Sequence, residues 1–376
     1  MSTKKIILIV VILILVGVAA FFIYSARQQE GGGGSDSGFS VRDFFPFGQS
    51  SNNNLDYSAG DTNPDQSIDD ILPPIQELPK LRKLSKEPVA GAIIFDIGTT
   101  TKIRFVEKSG GNVFEVSANA TTITRLTNTT IPKITRATWL KDGSGFLAQK
   151  LNENGVIETS FVSLKLKTQD EREAEDPIPY NTLESNLPTG IREIAVSPDS
   201  KKIFYYTTPN GTLNGVVANP DGTSPKTIYT SDITEWIPEW SLANSITLNA
   251  KNSALTPSFG LKINASTGAS SKSIGSIQSR VLPEKCVVSN EDSTFIFCGV
   301  PKSAPSGLPD SWYQGRVSTN DLLEKINVEE NYLFTLSDLS AEAGSNIDIY
   351  KPLLSSRDNY IIFTNKIDQS LWLLKL

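Results

Sequence analysis

Histidine is absent from the 376 residues. With it go the Ser-His-Asp and Cys-His nucleophile systems, His-ligated zinc, and the side chain most used for proton transfer near neutral pH. Only two cysteines occur, Cys286 and Cys298, too few for a four-cysteine zinc site and enough for one disulfide. Positive charge is not in excess either. Lys and Arg number 35 against 41 Asp and Glu, a net charge of −6, so there is no basic field to hold a phosphate backbone and nucleic acid is not an expected partner. The dinucleotide glycine fingerprint and the P-loop are missing, since Gly31–Gly34 follows an apolar run and not a strand. Asp56, Asp61, Asp65, Asp69 and Asp70 lack the glycine and closing glutamate of an EF-hand loop. No metal ion or cofactor is therefore expected.

What the chain does have begins with Ile6–Tyr24, 19 consecutive residues without a charge. That is long enough to cross a hydrocarbon core of roughly 30 Å as one helix. Lys4 and Lys5 precede it and Arg27 follows closely, which places the N-terminus in the cytoplasm and the rest of the chain outside. A cleaved signal peptide is the alternative, but it would place Tyr24 where a small residue is wanted. Residues 1–26 are thus expected to form a cytoplasmic tip and transmembrane anchor. Residues 27–77, rich in Gly, Ser, Asn and Pro, cannot bury enough apolar surface to order themselves and should form a flexible stalk. Within the stalk, Phe44-Phe45-Pro46-Phe47-Gly48 is either a loosely packed turn or a docking peptide.

From residue 78 the pattern becomes one of short strands separated by turns. Its clearest unit is Ile191–Thr207, IREIAVSPDSKKIFYYT, in which an alternating strand meets Ser197-Pro198-Asp199-Ser200 and returns as an apolar, aromatic strand. Turn-opening positions recur at Ile97, Leu140, Ser197, Ser241, Ser289 and Ser355, about 52 residues apart on average. Large apolar residues stand just before the last five, at Trp139, Val196, Trp240, Val288 and Leu354, and again after them, at Phe146, Ile203, Ile246, Phe295 and Ile361. The period predicts an all-β, six-bladed propeller over 78–376, with seven blades as the alternative. The last unit is one strand short, and Leu78–Ser85 is a strand without a blade. Joining the two closes the ring and leaves no open edge.

The hairpin IAVSPDSKKIFYYT resembles the WD40-like or TolB-type β-propeller repeat. The layout of apolar run, stalk, IRFVEKSGGNVFEV and PDSWYQG also resembles an uncharacterised group of membrane-anchored propeller proteins from candidate-phylum bacteria. What the resemblance implies is a binding platform and not a catalyst. The expected function is accordingly a membrane-anchored, extracytoplasmic module that binds or scaffolds protein or glycan at the cell surface. The alternative is a carboxylate-dependent glycan-active enzyme, because that chemistry needs no histidine.

Two stretches carry the candidate binding residues. Trp312 and Tyr313 lie in the Pro/Gly-rich excursion Val300–Gly315, where they either anchor a partner or fold back to plug the propeller rim. Glu235 and Glu239 flank Trp236 near a strand expected to line the central channel, with packing and solvation as the structural alternative. Lys167–Gly190, with DEREAED and several prolines, reads as a solvated loop. Cys286 and Cys298 straddle a hairpin turn centred on Asn290–Thr294, which sets 288 opposite 296 and 286 opposite 298. Facing positions across two antiparallel strands suit a disulfide, and an exported domain meets an oxidising compartment; two buried thiols are the alternative.

Overall fold

The computed structural model describes residues 78–169, 171, 178–233, 236–250, 259–274, 281–330 and 332–376. The expected anchor, the stalk with its aromatic cluster, and most of the acidic run lie outside the described residues. Among the described residues no helix is long and apolar enough to cross a membrane.

Strand β1 (Leu81–Lys83) is followed by six antiparallel units. Blade 1 is β2 (Val89–Ile97), β3 (Thr100–Glu107), β4 (Val113–Ser117) and β5 (Thr124–Arg125). Blade 2 is β6 (Ile134–Trp139), β7 (Gly145–Leu151), β8 (Ile157–Leu166) and β9 (Tyr180–Asn186). Blade 3 is β10 (Glu193–Val196), β11 (Ile203–Thr207), β12 (Leu213–Ala218) and β13 (Lys226–Ser231). Blade 4 is β14 (Trp236–Leu242), β15 (Ser245–Ala250), β16 (Phe259–Asn264) and β17 (Ser270–Ile274). Blade 5 is β18 (Cys286–Val288), β19 (Phe295–Pro301), β20 (Asp321–Asn327) and β21 (Tyr332–Ser337). Blade 6 is β22 (Ile349–Leu354), β23 (Tyr360–Asn365) and β24 (Leu371–Lys375), completed on its outer side by β1.

The ring closes as expected. Leu81 faces Leu374 across the β1–β24 pair, and the Leu84 amide donates to the Leu371 carbonyl at 2.7 Å. One strand from the start of the domain thus satisfies an edge that the end of the chain would otherwise expose. Successive first strands pack side by side, β2 on β6, β6 on β10, β10 on β14, β18 on β22, and β22 back on β2. Between the blades lie separate apolar clusters, such as Leu140, Leu147, Ile194, Val196 and Ile203 between blades 2 and 3. Side chains alternate across a strand, so each inner strand feeds one cluster on either side.

The recurrent apolar positions are buried in blades 2, 3, 4 and 6, where Trp139, Val196, Trp240 and Leu354 precede the turns and Phe146, Ile203, Ile246 and Ile361 follow them. Blade 5 departs from the rule: Val288 is 36% exposed and Phe295 only half-buried, while Ile296 takes the core position. Its inner strand is three residues long. The stretch expected as a solvated loop also needs correcting. Part of Lys167–Gly190 is strand β9, the outer strand of blade 2, paired along β8 from Leu166↔Tyr180 to Ser160↔Asn186. An outer strand is wet on much of its surface, and YNTLESN therefore has the composition of a loop.

The turns after the first strands use the chemistry of their sequences. Ser197 Oγ accepts from the Lys202 amide at 2.9 Å and donates to Asp199 at 2.7 Å, while Ser200 adopts φ 62°. Neighbouring turns are also tied to one another. The Asp142 amide donates to Ser200 Oγ at 3.2 Å, Ser289 donates to Asp358, and Ser356 donates to Asp96.

Candidate functional site at the channel mouth

The inner strands begin on one face of the ring, and there side chains from five segments converge. Arg136 enters from β6 and forms an ion pair with Glu193 at the start of β10, so blades 2 and 3 meet through a charge pair. Tyr350 comes from β22, Glu284 from the one-turn 3-10 helix Pro283–Lys285, and Tyr313 from the short helix Asp310–Tyr313. Tyr313 donates its hydroxyl to Glu284 at 2.8 Å. These groups are half-buried: Arg136 keeps 28% of its side-chain surface and Glu193 16%.

Charge links these groups to one another. Burial works against the charge of Arg136, but Glu193, with Tyr350 and Tyr206, outweighs it and holds the guanidinium above its ordinary pKa. Burial pushes the Tyr350 phenol up to about 12, opposed by Arg136 and assisted by Glu193 and Glu284. Tyr313 is raised as well, by burial first and then by the charge and hydrogen bond of Glu284. At neutral pH the mouth therefore presents one cation, two carboxylates and two neutral phenols.

Behind it stands a second, closed layer. Trp312 is 1% exposed and donates its indole N–H to both oxygens of Asp348, at 3.0 and 2.9 Å. Its ring lies against Tyr313 at 5.4 Å and Tyr350 at 6.0 Å, with Lys366 Nζ 4.4 Å and Lys285 Nζ 5.1 Å from its centre. Of the two candidate roles of the excursion, the rim plug describes Trp312, whose buried indole has no face to offer a partner. Tyr313 beside it remains half-exposed and reaches the mouth.

Elsewhere the candidate residues are dispersed. Trp236 is 1% exposed and belongs to the core between blades 3 and 4, its carbonyl accepting from the Tyr206 hydroxyl at 2.8 Å. It is a packing residue, because a wide indole next to an inner strand finds most of its apolar contact in the next blade. Glu235 lies outside the described residues. Glu239, on β14, has an exposed side chain yet is walled in by protein, as is Lys141 just after β6; wall positions of a water-accessible channel reconcile the two properties. Burial raises the Glu239 pKa and lowers that of Lys141, each offset in part by the other's charge. Among the described residues the charge that acts on Glu239 is that of Lys141.

The disulfide is present. Cys286 and Cys298 are directly opposed in the β18–β19 register with Cα atoms 4.1 Å apart. Among the described residues no cluster of carboxylates or thiols is arranged to hold a metal ion. The roles of Arg136, Glu193, Glu284 and Tyr350 at the mouth are not evident in the sequence, although Arg192-Glu193 at the opening of the clearest repeat is a usable signal. Arg136, Glu193 and Tyr350 lie within the first three residues of their inner strands, and the ring of blades brings those strand ends together even though they are far apart in the chain.

No family model matches the sequence, and no curated protein does. Likeness appears among solved structures. TolB from Acinetobacter baumannii is 9% identical with a TM-score of 0.41, over 70% of this chain and 59% of that one. An oligogalacturonate lyase from Vibrio parahaemolyticus is 10% identical with a TM-score of 0.46, over 78% of this chain and 93% of that one. The Cps50 (Swd1) β-propeller domain from Myceliophteria thermophila is 9% identical with a TM-score of 0.45, over 79% and 99%.

Proposed function

We propose that this chain is a membrane-anchored, extracytoplasmic protein-binding module whose contact face is the mouth of the propeller channel. The convergence of Arg136, Glu193, Tyr350, Glu284 and Tyr313 into one half-open recess carries the proposal. Charges of both signs beside phenolic hydroxyls suit the mixed donors and acceptors of a polypeptide, and Tyr and Arg are the side chains that most often dominate protein contacts. Anchoring rests on Ile6–Tyr24 and the lysines before it.

A glycan partner is less favoured. All five tryptophans, Trp139, Trp236, Trp240, Trp312 and Trp372, are buried, so no indole face is offered to a sugar ring. Turnover by a carboxylate pair is less favoured because, among the described residues, the charge acting on Glu239 is the cation of Lys141.

The test is a crosslinking pull-down from native membranes with the full chain. The Arg136→Ala/Glu193→Ala and Tyr313→Ala variants should lose a partner that the parent captures, without losing the folded state. Capture unchanged in both variants would move the contact face elsewhere. Glycan binding without turnover would replace the protein partner by a glycan, and peptidoglycan turnover abolished by Glu239→Gln would replace the proposal by the enzyme alternative.

A further inference from the structure

Lys285 is fully buried, and so are the two carboxylates against it. Its Nζ lies 2.5 Å from Asp321 Oδ2, 2.5 Å from Asp348 Oδ1 and 2.7 Å from Thr319 Oγ1. Taking an ion pair out of water costs desolvation that its mutual attraction only partly returns, and the two carboxylates here are not equivalent. Asp348 is saturated with donors: Trp312 Nε1 reaches both oxygens, the Thr319 amide donates to Oδ2 at 3.0 Å, and Lys285 donates to Oδ1. Asp321 accepts on Oδ2 alone, from Lys285 and from the Ile349 amide at 2.8 Å, and its Oδ1 is buried with no hydrogen-bond partner. Burial also raises the Asp321 pKa, opposed by the charge and hydrogen bond of Lys285 and by Thr319, with Asp348 adding to the rise. One acid thus has the setting of a fixed carboxylate, and the other that of a neutral carboxylic acid with a free hydroxyl.

We propose that Lys285 and Asp321 are joined by an isopeptide bond that the folded protein forms by itself. Asp348 takes one proton from the Lys285 ammonium, and the neutral amine attacks Cγ of protonated Asp321. Charge developing on Oδ2 is met by the Ile349 N–H already directed at it, as in an oxyanion hole. The adduct collapses as Oδ1 departs in a water molecule, carrying its own hydrogen and a second one from the nitrogen. The N–C bond forms, the C–O bond breaks, and nothing is oxidised or reduced. Lys–NH3+, Asp–CO2H and Asp–CO2− become an amide, one water and a protonated Asp348.

Such a condensation is unfavourable between dissolved groups. Here contact in a dry site supplies the effective concentration, and the product exchanges a buried ion pair for a neutral amide. The surroundings leave room for the reacting carboxyl. A Cβ at Gly299 would come within 3.0 Å of Asp321 Oδ2 and 2.6 Å of the Ile349 Cβ, so a larger residue there would displace one or the other. The bond would tie the segment leading into β18 to the start of β20, while the neighbouring disulfide ties β18 to β19.

Mass spectrometry of the full chain, purified in detergent and reduced, tests this directly. The parent should be lighter than its sequence by one water, and a tryptic digest should lack cleavage after Lys285 and contain a branched peptide joining Lys285 to Asp321. Asp321→Ala and Asp348→Asn should both return to the full sequence mass. A parent at full sequence mass overturns the proposal whether or not the variants fold. A branch to Asp348, or a bond that persists in Asp348→Asn, overturns the assigned roles.

Discussion

Blades 3 and 5 have the same four strands in the same order and are held by different means. In blade 3 the inner strand Glu193–Val196 and its partner Ile203–Thr207 bury Ile194, Ala195, Val196, Ile203, Phe204, Tyr205 and Tyr206, and a Ser-Pro-Asp turn joins them. Apolar packing supplies most of the cohesion there, beside the Arg136–Glu193 ion pair at the start of the strand and the Tyr206 hydroxyl on the Trp236 carbonyl. In blade 5 the inner strand has three residues, its turn-flanking Val288 is exposed, and its partner residue Phe295 is half-buried under Lys325, whose Nζ lies 4.3 Å from the ring. To the buried Ile296, Phe297, Leu323 and Ile326 this blade adds the disulfide, the Lys285, Asp321 and Asp348 cluster, and the Trp312 plug. A repeat can therefore lose its apolar signature and keep its place in the ring if directed or covalent contacts replace it.

Both blades depend on a closed ring, and opening that ring should have the largest effect. A chain beginning at residue 88 lacks β1 and exposes the backbone edge of Leu371–Lys375. It should aggregate or lose its cooperative thermal transition, whereas a chain beginning at residue 76 should melt as a unit. Equal melting would refute the closure.

Within the closed ring, the apolar blade should be the more sensitive to truncation. Phe204→Ala removes a side chain with no exposed surface and should cost about 3–5 kcal/mol in denaturant unfolding. In blade 5 the comparable injury is loss of the disulfide. Its sequence separation of 12 implies about 3 kcal/mol for Cys286→Ser/Cys298→Ser on the chain-entropy account. A disulfide variant as stable as the parent would show that the remaining contacts of blade 5 suffice.

A smaller effect should appear at alkaline pH. Tyr350 titrates near 12 in the folded chain, above the value of about 10 for an unfolded tyrosine, so the folded state binds this proton more tightly. The contribution is whole below pH 10 and is lost as pH rises toward 12. Melting temperature should fall across that window, and Tyr350→Phe should flatten the fall; an unchanged slope would count against the buried phenol.

The smallest effect is the most direct comparison of the two blades. Val196→Thr places a hydroxyl in the core and should cost about 1–3 kcal/mol, while Val288→Thr, at the equivalent exposed position, should stay within about 0.5 kcal/mol. Equal costs would mean that the two positions are equally buried in solution.

Much of this architecture was legible because it is local or periodic. The recurring turns gave the blade count, the missing fourth strand with the orphan strand at Leu78–Ser85 gave the closure, and two cysteines placed symmetrically about one turn gave the disulfide. Strand β9 was not legible, since an outer strand with few apolar residues has the composition of a loop. Nor were the fates of the tryptophans, because the same side chain serves as anchor or as core depending on what the next blade puts against it.

By itself, then, the sequence determined the repeat, the turns and the strand pairing within blades, all set by neighbours a few residues apart through backbone geometry and alternation of side chains. Tertiary structure alone decided the chemistry. Arg136, Glu193, Glu284, Tyr313 and Tyr350 come near one another, and Lys285, Asp321 and Asp348 meet in one buried cluster, only because the packing of blade on blade brings segments far apart in the chain side by side. Burial, which fixes the protonation and reactivity of such groups, comes from residues far along the chain, and no local pattern encodes it.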